Sequence, residues 1–393
     1  MEVGFFLADR GGMHAVPLAW RGVIANKWRL VRSSAGIGFA VLLMLTQLGF
    51  QEAFFAASLR VLRGLDGEIF LQSAHKYQFA TQDPFSVSLL ATAKTVPGVK
   101  SVSPFYADWY DLFWKSPVDG KVYLIRGFAF DPDRPVLLLP AVNTQRGRLQ
   151  ATGAVLVDRR ARRFLGMDRP VAQSEINGVR TDIVGQFALG PDFVSDGTVI
   201  MSERTFASVM HASVSDPPGV ELGVIKLAPG ADPAQVQSAL RRALPASITI
   251  MTKDQLVAFE RAFQANLSSA GPIFAIGTIV GFVVGMLISY QITFAEVSDR
   301  LPQYATLKAI GYPTAYLLRV VLEQAGLNGI AGWIPAWLTS LGLYRLIEHI
   351  ALLPMQMSLG ITLLSLALTL GMCLISAIIA VGRVIRADPA AVF

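Results

Sequence analysis

Four long apolar runs constrain this chain more than any other feature, because their spacing is uneven. One lies near the N-terminus, at residues 35–55, and three crowd the C-terminal third, at 272–294, 320–344 and 359–381. Each reaches the roughly 20 residues that a helix needs to cross a bilayer. With 53% of its 393 residues hydrophobic and 16% charged, the chain is too apolar for an ordinary soluble enzyme. It reads as an integral membrane protein of four transmembrane α-helices, with a large α+β domain inserted between the first and second spans.

The first run is longer than the apolar core of a signal peptide, and the charged tail before it is too extended, so it is expected to stay as an anchor. Lys and Arg set the orientation. Arg10, Arg21, Lys27, Arg29 and Arg32 precede the first span, Arg300, Lys308 and Arg319 follow the second, and Arg383 and Arg386 follow the fourth. The other side holds fewer near the membrane: Arg60, Arg63, Arg261 and Arg345. Both termini and the loop after span two are therefore expected in the cytoplasm. The net charge of +6 suits flanks facing anionic lipid, and no aromatic and basic interleaving points to nucleic acid. Cys373 is the single cysteine, so no intrachain disulfide forms.

Nine segments follow. Residues 1–34 are expected to be an N-terminal cytoplasmic stretch with an amphipathic helix on the membrane lipids, in which Leu18, Val23, Ile24, Trp28 and Val31 fall near helical spacing; the alternative is that this helix simply continues the first span. Span one is 35–56, the outer domain 57–268, span two 269–295, a cytoplasmic loop 296–318, span three 319–344, a short outer loop 345–357, span four 358–382 and the tail 383–393. Within the outer domain "KVYLIRGFAF", "GAVLVDRR", "RTDIVGQFAL", "DGTVIMSE", "GVELGVIKL" and "ASITIMT" read as strands between Gly, Pro and Asp turns. "PFSVSLLATAKTV", "RRARRFLGM", "SERTFASVM" and "DPAQVQSALRRAL" read as helices. This irregular mixture implies an α+β domain with room for two lobes. A last helix, from "KDQLVAFERAFQANL", is expected to run on into span two and carry motion to the bilayer.

Catalytic and metal-binding patterns are missing. No GxxxxGK[ST] cradles a nucleotide, and His14, His75, His211 and His349 are scattered with no HExxH or CxxC beside them. Asp108 with Asp111, and Asp131 with Asp133, are acid pairs by spacing, but Asp beside Pro reads first as turn chemistry. "DRRARR", residues 158–163, reads as a solvated face rather than an anion site. Glu323 stands alone near the start of span three, and no row of buried charges marks an ion path. Gly277, Gly281 and Gly285 line one face of span two, which permits close approach either to another span of the chain or to a second copy.

The loop "DRLPQYATLKAIGYPTAY" between spans two and three is more elaborate than a connection requires. Pro302 suits a first helical turn, Tyr304, Ala305, Leu307 and Ile310 supply apolar positions, Gly311 can end the helix in the left-handed conformation, and Pro313 prevents its continuation. So short a helix is marginal alone, so it needs a surface to pack against.

"YATLKAIGY" in that loop resembles the coupling segment of MacB/FtsX-type ABC permeases, which share the type VII ABC transporter fold. "PLAWRGVIANKWRLVRSSAGIGFAVLLMLTQLGFQEAFF" and "RVIRADPAAVF" resemble the terminal blocks of the DevC-type exporter permeases within that superfamily. The resemblance implies a homodimeric, multi-pass inner-membrane permease of a Gram-negative-type bacterium, with the inserted domain periplasmic. It binds no cofactor itself, since ATP and Mg belong to a separate cytoplasmic ABC ATPase. Its other implied partners are a periplasmic membrane fusion adaptor protein and an outer-membrane TolC-like channel. The implied activity is efflux by mechanotransmission, with no catalytic site in this chain. Carried onto this sequence, the ATPase contacts are Tyr304, Ala305, Thr306, Leu307, Lys308, Ala309, Ile310, Gly311 and Tyr312, with Tyr304 and Leu307 inserted as anchors and Lys308 facing an acidic groove. Two relatives of the same architecture give alternatives: an FtsX-like regulator of a periplasmic partner that transports nothing, and a lipoprotein-releasing permease.

Overall fold

The computed structural model describes residues 27–211, 218–268 and 270–386. Most of the expected amphipathic helix lies outside them, as do residues 387–393. Residues 27–34 form the opening turns of a longer helix, α1 (Lys27–Arg63), in which Trp28 and Val31 are exposed. The described residues divide into two compact units: a helical one from 27–50, 273–346 and 356–386, and a mixed one from 51–272 and 347–355.

The mixed unit contains, in order, β1 (Ile69–Ser73), α2 (Ser88–Lys94), β2 (Val99–Lys115), β3 (Val122–Phe130), α3 (Pro140–Asn143), β4 (Ala154–Asp158), β5 (Gln173–Ile176), β6 (Val179–Phe187), β7 (Thr198–Ser202), α4 (Glu203–Val209), β8 (Leu222–Leu227), α5 (Pro233–Ala243), β9 (Ile248–Thr252) and α6 (Lys253–Asn266). Two βαβ pieces, β1-α2-β2 and β8-α5-β9, build one lobe. Its strands run antiparallel in the order β2-β8-β1-β9, with Ile69 opposite Thr252 and Ile225 opposite Val102. This is the split βαββαβ arrangement of ferredoxin-like folds. Successive side chains of a strand point to opposite faces, and here both faces are covered. Ile69 and Leu71 pack with Leu90 of α2 and Leu240 of α5, whereas Phe70 packs with Leu256 of α6 and Leu59 and Leu62 of α1.

A second lobe is inserted between β2 and β8. Its pairings run β3-β7-β4-β6-β5-β2, and β2 pairs back with β3, so the ring closes and leaves no unpaired edge. β2 serves both lobes: Val99–Phe105 pairs with β8, Tyr106–Asp108 and, after a register shift, Leu112–Lys115 pair with β3, and Trp114 and Lys115 also pair with β5. Trp114 is fully buried in the ring, its indole N–H donating to the Leu165 carbonyl at 2.9 Å. Arg126 is buried as well, held by Asp192, by Thr198 Oγ1 at 2.7 Å and by the Gly190 carbonyl at 3.2 Å.

Two expectations for this unit fail. "RRARRFLGM" is not a helix: Asp158 accepts from the Arg160, Leu189 and Gly190 amides, and only a short 3-10 turn, Arg163–Leu165, precedes Gly166 at φ +67°. Amides within the segment bond outside it, Arg159 to the Phe187 carbonyl and Arg162 to the Asp196 carbonyl, both at 2.9 Å, and Gly166 adopts a conformation that ends the turn. Nor does α6 run into span two. It stops at Asn266, and the next helix starts at Ala270, after Ser268 Oγ has bonded back to the Gln264 carbonyl at 2.8 Å.

The helical unit consists of the first part of α1, α7 (Ala270–Asp299), α8 (Leu301–Ala309), α9 (Thr314–Ala351) and α10 (Leu359–Arg386). Among the described residues three stretches are long and apolar enough to cross a membrane: Val31–Arg63, Gly271–Asp299 and Leu359–Gly382. α9 has the length, but Gln324, Asn328, Pro335, Thr339 and Ser340 dilute its hydropathy. Ile37, Val41, Met44, Val321, Ala325, Met372 and Ala377 form the core between these helices. Hydrogen bonds across it join Tyr344 Oη to the Leu45 carbonyl, Ser376 Oγ to the Met286 carbonyl at 2.7 Å, and the Trp333 indole to Ser365 Oγ at 3.1 Å.

Candidate functional site

The loop singled out in the sequence is a discrete nine-residue helix, α8, between α7 and α9. The Tyr304 amide donates to the Arg300 carbonyl at 3.0 Å, and the Ile310 amide to the Thr306 carbonyl at 3.1 Å. Gly311 then takes φ +101°, a left-handed value open to glycine and strained for other residues, with nothing within 4 Å of where a Cβ would stand. Pro313 follows, its carbonyl accepting from the Tyr316 amide at 2.9 Å in the first turn of α9.

The expected contact residues do not share one face. Ile310 is 70% exposed and Tyr312 44%, which leaves two large apolar side chains uncovered at the end of α8. Thr306 and Ala309 are exposed beside them. Tyr304, read from the sequence as an anchor for the ATPase, is half-buried and packs against the chain's own helical core. Burial pushes its hydroxyl pKa up, with Arg300 opposing and Glu296 adding to the shift. The side chains of Ala305, Leu307 and Lys308 lie outside the described set.

The three glycines of α7 face α1. A Cβ on Gly277 would stand 2.5 Å from Gln47 Cδ, one on Gly281 2.8 Å from Met44 Cγ, and one on Gly285 3.0 Å from Ala40 Cβ and 2.4 Å from Met372 Sδ. The stripe is thus occupied inside the chain, by α1 along its length and by α10 at Gly285.

One cluster escaped the sequence reading. Glu296, near the end of α7, is 7% exposed, and Gln324 and Asn328 on α9 are 4% and 3% exposed. Gln324 Nε2 donates to Glu296 Oε2 at 2.6 Å, and Asn328 Nδ2 lies 3.3 Å from both carboxylate oxygens. The Arg300 guanidinium donates to Gln324 Oε1 at 3.4 Å. Spacing held a clue: Gln324 and Asn328 are four apart, hence on one face of an otherwise apolar helix.

The acid pairs of the mixed unit serve the backbone. Asp108 accepts from the Tyr110 and Asp111 amides at 3.1 and 2.8 Å, and Asp131 from the Asp133 amide at 2.9 Å. Arg162 of "DRRARR" lies 3.5 Å from Asp196, and Arg159 and Arg163 are exposed. Among the described residues no three His, Cys, Asp or Glu side chains converge as metal ligands do.

Residues 272–389 match the family model described as FtsX-like permease C-terminal. Among solved structures the chain is similar to the periplasmic region of MacB from Actinobacillus actinomycetemcomitans, at 12% identity and TM-score 0.36 over 53% of this chain and 97% of that one. It is similar also to the extracellular domain of the noncanonic ABC-type transporter YknZ from Gram-positive bacteria, at 11% identity and TM-score 0.31 over 47% and 98%. A domain of a putative permease protein from Porphyromonas gingivalis aligns at 14% identity and TM-score 0.32 over 53% and 95%. No curated protein matches the chain. The matched segment takes in nearly all of α7 and the whole of α8, α9 and α10, and over those residues the chain is similar to FtsX-like permeases.

Proposed function

We propose that this chain is the membrane subunit of a DevC-type tripartite exporter, a homodimer that receives motion from a separate cytoplasmic ABC ATPase. The observation that carries this reading is α8: a short helix with a built stop at Gly311 that leaves Ile310 and Tyr312 uncovered. Large apolar residues at a loop tip suit insertion into a protein groove, where buried aromatic and aliphatic anchors dominate affinity. In this reading α9 is a fourth span. Its most polar positions, Gln324 and Asn328, are buried in the bundle, as is Ser340, which leaves only Pro335 and Thr339 of the diluting residues on the exposed side. The mixed unit is then periplasmic and engages the adaptor, passing motion to an outer-membrane channel so that substrate is driven outward without crossing between the spans. The dimer packs through faces other than the glycine stripe, which α1 already covers.

The test is co-purification and ATP turnover in nanodiscs with the ABC ATPase subunits of the same genome. Wild type brings an ATPase down and supports vanadate-sensitive turnover, whereas Ile310→Asp and Leu307→Asp do not. Equal capture by all three chains, or by none, overturns the reading.

A further inference from the structure

We infer that Glu296 is a positioning residue for energy coupling: with Gln324 and Asn328 it pins the foot of α7 to α9, so that both helices answer when α8 moves. This rests on the reading of α8 as the docking helix. A carboxylate with 7% exposure beside apolar spans is costly unless its oxygens are satisfied. Two amide donors come from one neighbouring helix, Gln324 at 2.6 Å and Asn328 at 3.3 Å, and they offset part of the cost of burying the acid while α7 and α9 stay in register. A slide of one helix by a single turn, about 5.4 Å, would break every one of these bonds.

The pin reaches α8 by two routes. Arg300, between α7 and α8, donates to Gln324, and its carbonyl accepts from the Tyr304 amide. The Tyr304 ring rests on the core that includes Val297 of α7 and Val321 and Ala325 of α9. The face of α8 bearing Ile310 stays uncovered while Tyr304 is held inside, so a push on the exposed end has a built path into the paired helices. Among the described residues the rest of this core is largely apolar contact with single hydroxyl and indole bonds, which tolerate sliding better than a charged acceptor with fixed donors does.

The experiment uses the full chain in nanodiscs with its ATPase and separates capture from stimulated turnover. Glu296→Ala is expected to capture the ATPase as wild type does, yet to lose about tenfold or more of the chain-stimulated kcat, corresponding to roughly 1.4 kcal/mol or more, with KM for ATP unchanged. The exchanged pair Glu296→Gln with Gln324→Glu restores the carboxylate to the interface from the other helix and is expected to recover most of the stimulation. Recovery distinguishes a tie between helices from a merely structural need for Glu at position 296. Wild-type kcat in Glu296→Ala overturns the inference, and so does a loss of capture that parallels the loss of turnover. Failure of the exchanged pair, in protein that still captures the ATPase, overturns it too. If wild type captures no ATPase, the docking reading falls first and the coupling role of Glu296 falls with it, an outcome separable from the others by the wild-type lane alone.

Discussion

In the mixed unit Lys76 meets Glu221, and Arg126 meets Asp192, with side chains at most 10% exposed, among Trp114, Phe70, Phe105 and Phe128. In the helical unit the buried polar atoms are mostly hydroxyls and amides, such as Ser289, Thr293, Ser365, Thr369 and Ser376, and the close contacts are made by Gly277, Gly281 and Gly285. The contrast follows from the solvent on the far side of each core. Water drives large apolar side chains together, and the mixed unit can carry costly ion pairs on that gain. Lipid offers no such drive, so the helices rely on small residues that let backbones approach and on hydrogen bonds made inside the bundle.

If that account is right, the two units break in different ways. The largest effect is expected from Lys76→Met, which strands Glu221 in a site where it is 4% exposed. Losing one partner of a buried pair costs about 3–5 kcal/mol. Hydrogen exchange should then accelerate across β8 and α6 but not across α7 to α10, and equal acceleration of all peptides would merge the two regimes. Gly285→Ile comes next, at about 1–3 kcal/mol for overpacking against Ala40 and Met372. Its signature is a lower melting temperature of the detergent-solubilised bundle, with Gly285→Ala milder because the tip of Met372 can move aside.

A pH titration sharpens the comparison further, because burial raises the pKa of Asp108, Glu221 and Glu260, all in the mixed unit. Between the ordinary and the raised values the native state holds more protons than the unfolded chain. These groups therefore contribute stability that is complete below the ordinary carboxylate range and is lost as pH rises through the raised values. The double variant Asp108→Asn, Glu260→Gln should melt with a flatter pH profile above the ordinary carboxylate range than wild type. Gly311→Ala is expected to cost about 1 kcal/mol through its φ of +101°, read as faster amide exchange confined to α8. The smallest change is Glu323→Gln. The pair with Arg319 is half exposed or more on both sides, so stability should move by less than about 0.5 kcal/mol.

Much of this was legible in the residues. The helices α7, α9 and α10 follow apolar runs, and β3, β4, β6, β7, β8 and β9 follow the strand-like segments, because hydrophobic pattern is local information. β2 was not legible: Ser101, Ser103, Pro104 and Asp108 interrupt it, and its seventeen residues hold together by pairing with β3, next in the chain, and with β5 and β8, which are distant in sequence. The α8 helix was readable from Pro302, Gly311 and Pro313, since caps and breakers act on their own neighbourhood. Which way Tyr304 turns was not, for that depends on the core formed by α7 and α9. Glu296 was passed over for the same reason: its meaning lies in two amides on another helix.

The split of the βαββαβ lobe sets the order of its own assembly. β1 is made early in synthesis, but its partners β8 and β9 come from the far end of the domain, after the whole second lobe. Loop closure over so long a stretch is slow, because its entropic cost falls before the contacts that reward it. The inserted ring, whose strands β3 to β7 are nearer neighbours in sequence, can close first and shorten that search. During biogenesis, therefore, β1 waits as an unpaired strand until β8 and β9 are made, and this is the interval in which a chaperone would find it.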